Sequence, residues 1–532
     1  MLRKYRLQLI TLAVLAVLFI MAIQGMSAKD GLTIVIRGLS VGAVTFLVAS
    51  GLSLIFGLMD VLNLAHGTLF MLGAYAGWTI YVRPDTVVDL IPPLALLLVG
   101  LVLMPLWPVL LGRLGRMPAA VWGWLGLAMA GVLLLISLPS IPIAAWSARD
   151  YAQSPVSYAI MLSQGQLQFP PAEATGPLSP AVALGGVLLA GLVLGGSLTV
   201  LSQRHRGMRV RGQATPPQSP PKGRRISLSH WERVGVRATA AGLLLLAGLL
   251  VLALNDNLTA WLLGLGTNWL FGLALIGGTL TAAALGGLME MTLIRPLYDR
   301  PIYQLMMTLG LAVVGHELVV ALWGRPEFTM PKPALFNGVG DGCPAESWAA
   351  WLELHCSTIL VLGGRIRVYN EIFLIIVGLV VLVAVSLLLQ RSRLGMIIRA
   401  GVQDSDMVEA LGINVRRVFT LVFALGAGLA GLGGVLAAPS IGLSPLMGES
   451  VLLMALIALA IGGLTSFPGA AVGSVLVGLM EQFIIKYGQI GIPLPFLEEP
   501  FKPSPTLVPA STVLLMVIIL LAMPQGLFGR TE

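Results

Sequence analysis

The chain has 532 residues, of which 57% are hydrophobic and only 11% charged, with a formal net charge of +8. Soluble proteins average about 25% charged residues, so this composition excludes a soluble enzyme, a disordered scaffold and a DNA-binding domain. Apolar residues suffice for some fourteen or fifteen spans at the roughly 20 residues each helix requires, and their long unbroken runs exclude an outer-membrane barrel.

In chain order, apolar runs stand at 7–21, 32–56, 67–81, 91–111, 119–138, 181–201, 238–254, 258–293, 305–323, 372–389, 418–437, 451–463, 469–485 and 508–523. The expected fold is an all-α polytopic membrane protein of about 14 transmembrane helices. An even count returns both termini to the cytoplasm. That orientation places 22 of the 32 Lys and Arg residues on the inner side, as the positive-inside rule requires. The first run reads either as a cleaved signal peptide or as an uncleaved first helix. In both cases Lys29 emerges outside.

Two segments do not read as membrane. Residues 203–237 form a basic linker containing Pro216, Pro217, Pro220 and Pro221, without apolar periodicity. It reads as a tolerated linker beside the anionic leaflet, and no nucleic-acid partner is expected. Residues 324–370 form a mixed loop on the outer side that holds both cysteines of the chain, Cys343 and Cys356. In an oxidising compartment the two would close a short disulfide loop, and otherwise they are two free thiols. His355 is the only histidine near them, a poor zinc set, so no metal is expected.

Several chemistries are missing from the sequence. There is no Gly-Lys dipeptide and hence no Walker A loop to surround a nucleotide's phosphates. There is also no His-Glu-x-x-His helix, and no cofactor is implied.

Polar residues inside apolar runs are then the main functional signal. In GLSLIFGLMDVLNLAHG, Asp60, Asn63, His66 and Gly67 are candidates for a substrate pathway. Three-residue spacing puts the polar three on one face if the segment is helical. Flanking glycines favour instead a broken or re-entrant element, allowed only where protein or water satisfies the backbone. A third reading makes Asp60 a cap at the inner start of a helix. An ionised Asp at a helix centre costs roughly 2.5 to 3.5 kcal/mol, which marks a pathway, a partner or an interface. Glu290, Glu317, Glu449 and Glu481 also lie in or beside spans. Glu290, five residues before Arg295, suits a structural contact, and His316 beside Glu317 suits either a proton pair or an interhelical hydrogen bond.

The segment 391–417 joins two spans on the inner side. It carries Arg399 and then a short amphipathic helix with Met407, Ala410 and Leu411 on one face, ended by Gly412. Such a helix suits a groove on a soluble partner.

Here the chain resembles a family. Arg399, Ala400, Asp404, Glu409, Ala410 and Gly412 resemble the coupling loop of ABC importer permeases of the branched-chain amino acid (Liv) type. GLSLIFGLMDVLNLAHG at 51–67, LIRPLYDRP at 293–301, IGGLTSFPGAAVGSVLVGLMEQ at 461–482 and PQGLFGR at 524–530 resemble further motifs of that family, in its order.

The resemblance implies a permease core in two parts, 1–82 and 268–532, separated by an inserted region at 83–267. It also implies a second homologous permease, two ABC ATPases on the cytoplasmic side, an extracytoplasmic substrate-binding protein and a plasma-membrane location. The substrate would be a branched-chain or other hydrophobic amino acid, or a small solute such as urea or an amide, moved by alternating access. The chain itself would hydrolyse nothing. A stand-alone secondary transporter or channel, coupled to ions through Asp60, Glu290 or Glu317, is the other reading.

Overall fold

The computed structural model describes residues 26–103, 119–144, 174–212, 230–298, 300–403, 405–491 and 500–529, besides Ala13 and Val17. The first apolar run apart from Ala13 and Val17, residues 213–229 of the basic linker, Asp404 and Arg530 lie outside the described residues. Among the described residues the secondary structure is helical apart from one hairpin. In chain order the helices are α1 (Ala28–Met59), α2 (His66–Val82), α3 (Pro84–Val102), α4 (Ala119–Ser137), α5 (Pro180–Gly212), α6 (His230–Ala253), α7 (Asn255–Leu263) and α8 (Thr267–Met289). There follow α9 (Pro301–Trp323), α10 (Trp348–Leu354), α11 (Leu374–Arg391), α12 (Arg393–Gln403), α13 (Ser405–Ala410), α14 (Val415–Ile441), α15 (Met447–Gly462), α16 (Phe467–Ile490) and α17 (Leu507–Ala522).

Each apolar run that falls among the described residues carries a helix. Nine of these helices are long and apolar enough to cross a membrane, or ten if a bent pair is one span, while α15 and α17 are shorter apolar helices. The bent pair corrects the expected run at 258–293. Its first part is α7, which continues α6 through a 69° bend, and the spanning helix α8 begins only at Thr267. Asn255 and Asp256 open α7, while Gly264 and Gly266 separate it from α8, so short polar and glycine residues punctuate what hydropathy alone reads as continuous.

The described residues form two compact units, 26–81 with 266–529, and 82–144 with 174–265. In the second unit Arg83 grips Asp85 with two guanidinium nitrogens, Nε at 3.0 Å and Nη2 at 2.7 Å. The Asp89 carboxylate accepts from the Ala144 amide and from Asn255 Nδ2, both at 2.8 Å, tying helix ends together. Leu96, Ile141, Ala183 and Val187 make a small core. Trp124, Leu135, Leu243 and Leu246 are exposed, as expected where lipid is the solvent.

In the first unit α1 packs against α11, α14, α15 and α16, and α8 against α14. The contacts are close because the facing residues are small. A Cβ on Gly51 would stand 2.8 Å from His66 Nε2, and one on Gly67 would run into the Gly448 carbonyl. Small residues let membrane helices approach closely, which substitutes for the missing hydrophobic drive between helices in lipid.

The loop after α9 is ordered. Strands β1 (Thr358–Val361) and β2 (Gly364–Arg367) pair antiparallel through a two-residue turn. Leu362 and Gly363 both take positive φ, 49° and 75°, as a primed hairpin turn demands. Cys343 and Cys356 are joined in a disulfide, and Phe328 pairs with Leu443, fixing this loop to the end of α14.

Candidate functional site

The break between α1 and α2 is the first candidate site. Its polar residues do not share a helical face, because the chain leaves the helix at Asp60. Asp60 is the left-handed C-cap of α1 (φ 54°), its amide bonded to the Phe56 carbonyl. It caps the end of one helix, not the start of the next, and is exposed, whereas Asn63 and His66 are fully buried. The stretch from Asp60 to Ala65 is non-helical and doubles back, bringing His66 beside α1, where its Nε2–H donates to the Val48 carbonyl at 3.2 Å. Side chains satisfy the freed backbone. Leu64 N–H donates to Thr308 Oγ1 at 3.3 Å and Ala65 N–H to Asn63 Oδ1 at 3.0 Å. This is the broken element that the flanking glycines favour, with protein standing in for water. Asn63 Nδ2 and His66 Nδ1 are buried without a partner among the described residues.

The segment between α11 and α14 is two helices where the sequence suggests one. Arg399 sits in α12 and donates to the Leu389 carbonyl at 2.7 Å, holding α12 against the end of α11. Ala400 follows it on the same helix. Glu409 and Ala410 end α13, and Gly412 (φ 86°) closes it. Ile413 N–H reaches the Val408 carbonyl at 3.3 Å and Gly412 N–H the Glu409 carbonyl at 2.9 Å. That pair of bonds is a Schellman cap, which needs a left-handed residue at the glycine position. Val408 is buried, while Met407, Ala410 and Leu411 are exposed.

Behind this segment lies a buried carboxylate. Glu290, on a π-helical turn (Glu290–Ile294), has no exposed surface. It accepts from Arg295 Nε (3.1 Å) and Nη2 (2.8 Å), from Tyr298 Oη (2.6 Å) and from Thr420 Oγ1 (2.7 Å). Thr420 belongs to α14, so the cluster fastens the end of α8 to the start of the helix that follows the coupling segment. His316 and Glu317 do not form a pair. His316 Nδ1–H donates to the Pro445 carbonyl at 3.0 Å, and Glu317 is exposed.

A cavity of about 490 Å3 opens among α1, α11, α14, α15 and α16. At its wall the buried Glu371, on a second π-helical turn (Val368–Phe373), accepts from Arg37 Nε at 2.8 Å and Arg367 Nε at 3.3 Å, and its other oxygen accepts the Arg367 amide at 3.0 Å. Glu481, Asn370 and Ser440 also line the cavity. Glu481 Oε2, Asn370 Oδ1 and Ser440 Oγ are buried there with no hydrogen-bond partner among the described residues. Nearby, Lys332 is held below the usual lysine range, first by burial and then by the Arg367 charge. Among the described residues no group of three His, Cys, Asp or Glu side chains could hold a metal ion.

The chain matches the family model for the permease component of branched-chain amino acid transport systems over residues 223–524, more than half of its length. The chain belongs to this family. It is similar to the high-affinity branched-chain amino acid transport system permease protein LivH of Salmonella typhimurium, 27% identical over 274 residues, which cover 51% of this chain and 79% of the relative. The corresponding BraD protein of Pseudomonas aeruginosa is 30% identical over 183 residues, 32% of this chain and 51% of the relative. The fructose import permease protein FruF of Bifidobacterium longum is 26% identical over 121 residues, covering 21% and 34%. No solved structure matches.

In this permease, a multi-pass membrane protein, the matched span holds α12, α13, the Glu290 cluster and most of the cavity, while residues 51–67 lie before it. Of the cavity's ionisable side chains, Glu481 alone is among the residues that the sequence singles out. Arg37 could have been found as an arginine inside an apolar run, a costly placement that calls for a partner. Arg367 and Glu371 stand at the edge of a run, where charge is ordinary, and carry no such signal.

Proposed function

We propose that this chain is the membrane-spanning subunit of an ATP-driven importer. It would pass branched-chain or other hydrophobic amino acids, or related small solutes, through the plasma membrane by alternating access. ATP would be hydrolysed on two separate ATPase subunits, and an extracytoplasmic binding protein would deliver substrate to this permease and a second, homologous one. The loop 324–370 faces out and α12–α13 faces the cytoplasm in this reading, as the placement of basic residues favours.

The observation that carries the proposal is the coupling segment. Between two apolar helices stands a short helix with a fixed Schellman end and an exposed apolar face of Met407, Ala410 and Leu411. A face of this kind suits insertion into a groove of a soluble partner, and the Glu290 cluster gives its displacement a route to α8 and α14. Asn63, His66 and Gly67, with the exposed Asp60 at its start, belong to the broken element and would shape the passage. Of the three carboxylates that ion coupling by the chain alone would use, Glu290 is already saturated by Arg295, Tyr298 and Thr420.

Co-purification tests this. An ATPase subunit retained by the wild-type chain is expected to be lost with Glu409→Lys or Gly412→Pro, the permease remaining folded. Undiminished retention by both variants would remove the coupling role.

A further inference from the structure

The cavity among α1, α11, α14, α15 and α16 has a charge pattern that the transport reading does not require. Its ionisable side chains are Arg37, Arg367, Glu371 and Glu481, two basic and two acidic. They are not mutually spent. Glu371 neutralises one guanidinium charge through the Nε atoms of both arginines, and the terminal nitrogens of Arg37 and Arg367 make no further hydrogen bond among the described residues. Both arginines are about half exposed, at 41% and 48% of their side-chain surface, whereas Glu371 is 2% exposed. One unspent positive charge therefore faces the cavity from the α1–α11 wall. From α16, Glu481 presents a buried carboxylate oxygen with no partner, and Asn370 Oδ1 and Ser440 Oγ are two more unpartnered acceptors. Buried polar atoms are almost always hydrogen-bonded, and leaving one unmade costs about 1–3 kcal/mol. Val44, Met447, Val451 and Met454 supply an apolar wall. The volume of about 490 Å3 lies in the range of small-molecule sites, about 300–1,000 Å3.

We infer that this cavity is a binding site for the zwitterionic form of an apolar α-amino acid. The terminal nitrogens of Arg37 and Arg367 take the carboxylate, in the forked geometry guanidinium favours. Glu481, with the Asn370 and Ser440 oxygens, takes the ammonium, and the Val44, Met447, Val451 and Met454 wall takes the side chain. With guanidinium donors at one end and unpartnered acceptors at the other, neither a simple anion nor a simple cation is matched at both ends. The permease would thus recognise substrate itself, not merely pass what a binding protein has chosen. This rests on the importer reading above, and deepens it by assigning the substrate's chemistry to residues of this chain.

The test uses the full transporter complex in nanodiscs without its binding protein, probed with radiolabelled leucine. Unlabelled leucine should displace the probe, while leucinamide, lacking the carboxylate, and 4-methylpentanoate, lacking the ammonium, should compete about tenfold or more weakly. Glu481→Gln should weaken leucine but not 4-methylpentanoate. Met454→Trp, which fills the cavity from the apolar side, should abolish binding of the probe. Both variants should keep the wild-type thermal midpoint and ATPase co-purification. Absence of leucine binding to the wild-type complex, or normal binding by both variants, would overturn the site. If that occurs while the complete system still imports leucine with ATP, only this inference fails. If the complete system imports nothing, the importer reading fails with it.

Discussion

Two glycines flanking the break after α1 look alike in sequence and differ in their surroundings. At Gly57 an added Cβ would meet nothing nearer than the Thr465 carbonyl at 3.4 Å, an ordinary contact, while at Gly67 it would collide with the Gly448 backbone. Gly57→Ala should therefore be neutral or slightly stabilising, because alanine is the better helix former. Gly67→Ala should cost about 1–3 kcal/mol, as overpacking does. Thermal unfolding of the two variants in the same detergent would separate them, and equal midpoints would contradict the close packing of α2 on α15. Glu290 is the second case. Removing one partner from a buried ion pair costs about 3–5 kcal/mol, so Glu290→Ala should strongly lower the unfolding midpoint. Because Arg295 is partly exposed, the loss belongs near the lower end. A midpoint within a degree of wild type would mean that the cluster does not hold α8 to α14.

Much at the level of the element was legible, and what was not has identifiable causes. The end of α13 at Gly412 follows from local chemistry, since a left-handed residue after an amphipathic turn needs glycine. Arg399 and Ala400 stand on α12 and Glu409 and Ala410 on α13, and the amphipathic pattern carries no local signal that divides the two helices. In the stretch 51–67 hydropathy cannot distinguish a helix from an unwound segment, because both are apolar. What decides it is Thr308 and the Asn63 side chain taking over backbone hydrogen bonds, and Thr308 is remote in sequence. Both buried glutamates, Glu290 and Glu371, sit on π-helical turns, and such turns gather at functional sites. No local sequence signal announces them. Gly412→Ala should fold yet strain the Schellman cap by about 1 kcal/mol. It should weaken ATPase retention less than Gly412→Pro does, and the reverse order in a pull-down would contradict the cap's role.

For the whole molecule, orientation links the parts. The disulfide-bearing loop, the cavity and the first turns of α1 and α11 lie at one end of their unit, through the Arg37–Glu371–Arg367 cluster and the Phe328–Leu443 pairing. Intact cells treated with a membrane-impermeant alkylating reagent should label Cys343 and Cys356 only after reduction. A cysteine placed at Glu409 should be labelled only after the membrane is opened. Labelling of both classes from the same side would refute the proposed orientation. Closing a loop of this size by a disulfide contributes about 3 kcal/mol, so reduction should also lower the thermal midpoint.

The most direct measurement is solute uptake into proteoliposomes. The central claim predicts that leucine or a related solute accumulates only when this permease, its partner permease, the ATPases, the loaded binding protein and ATP are all present, and that Gly412→Pro abolishes accumulation. Full uptake by this chain alone, without ATP, would contradict it.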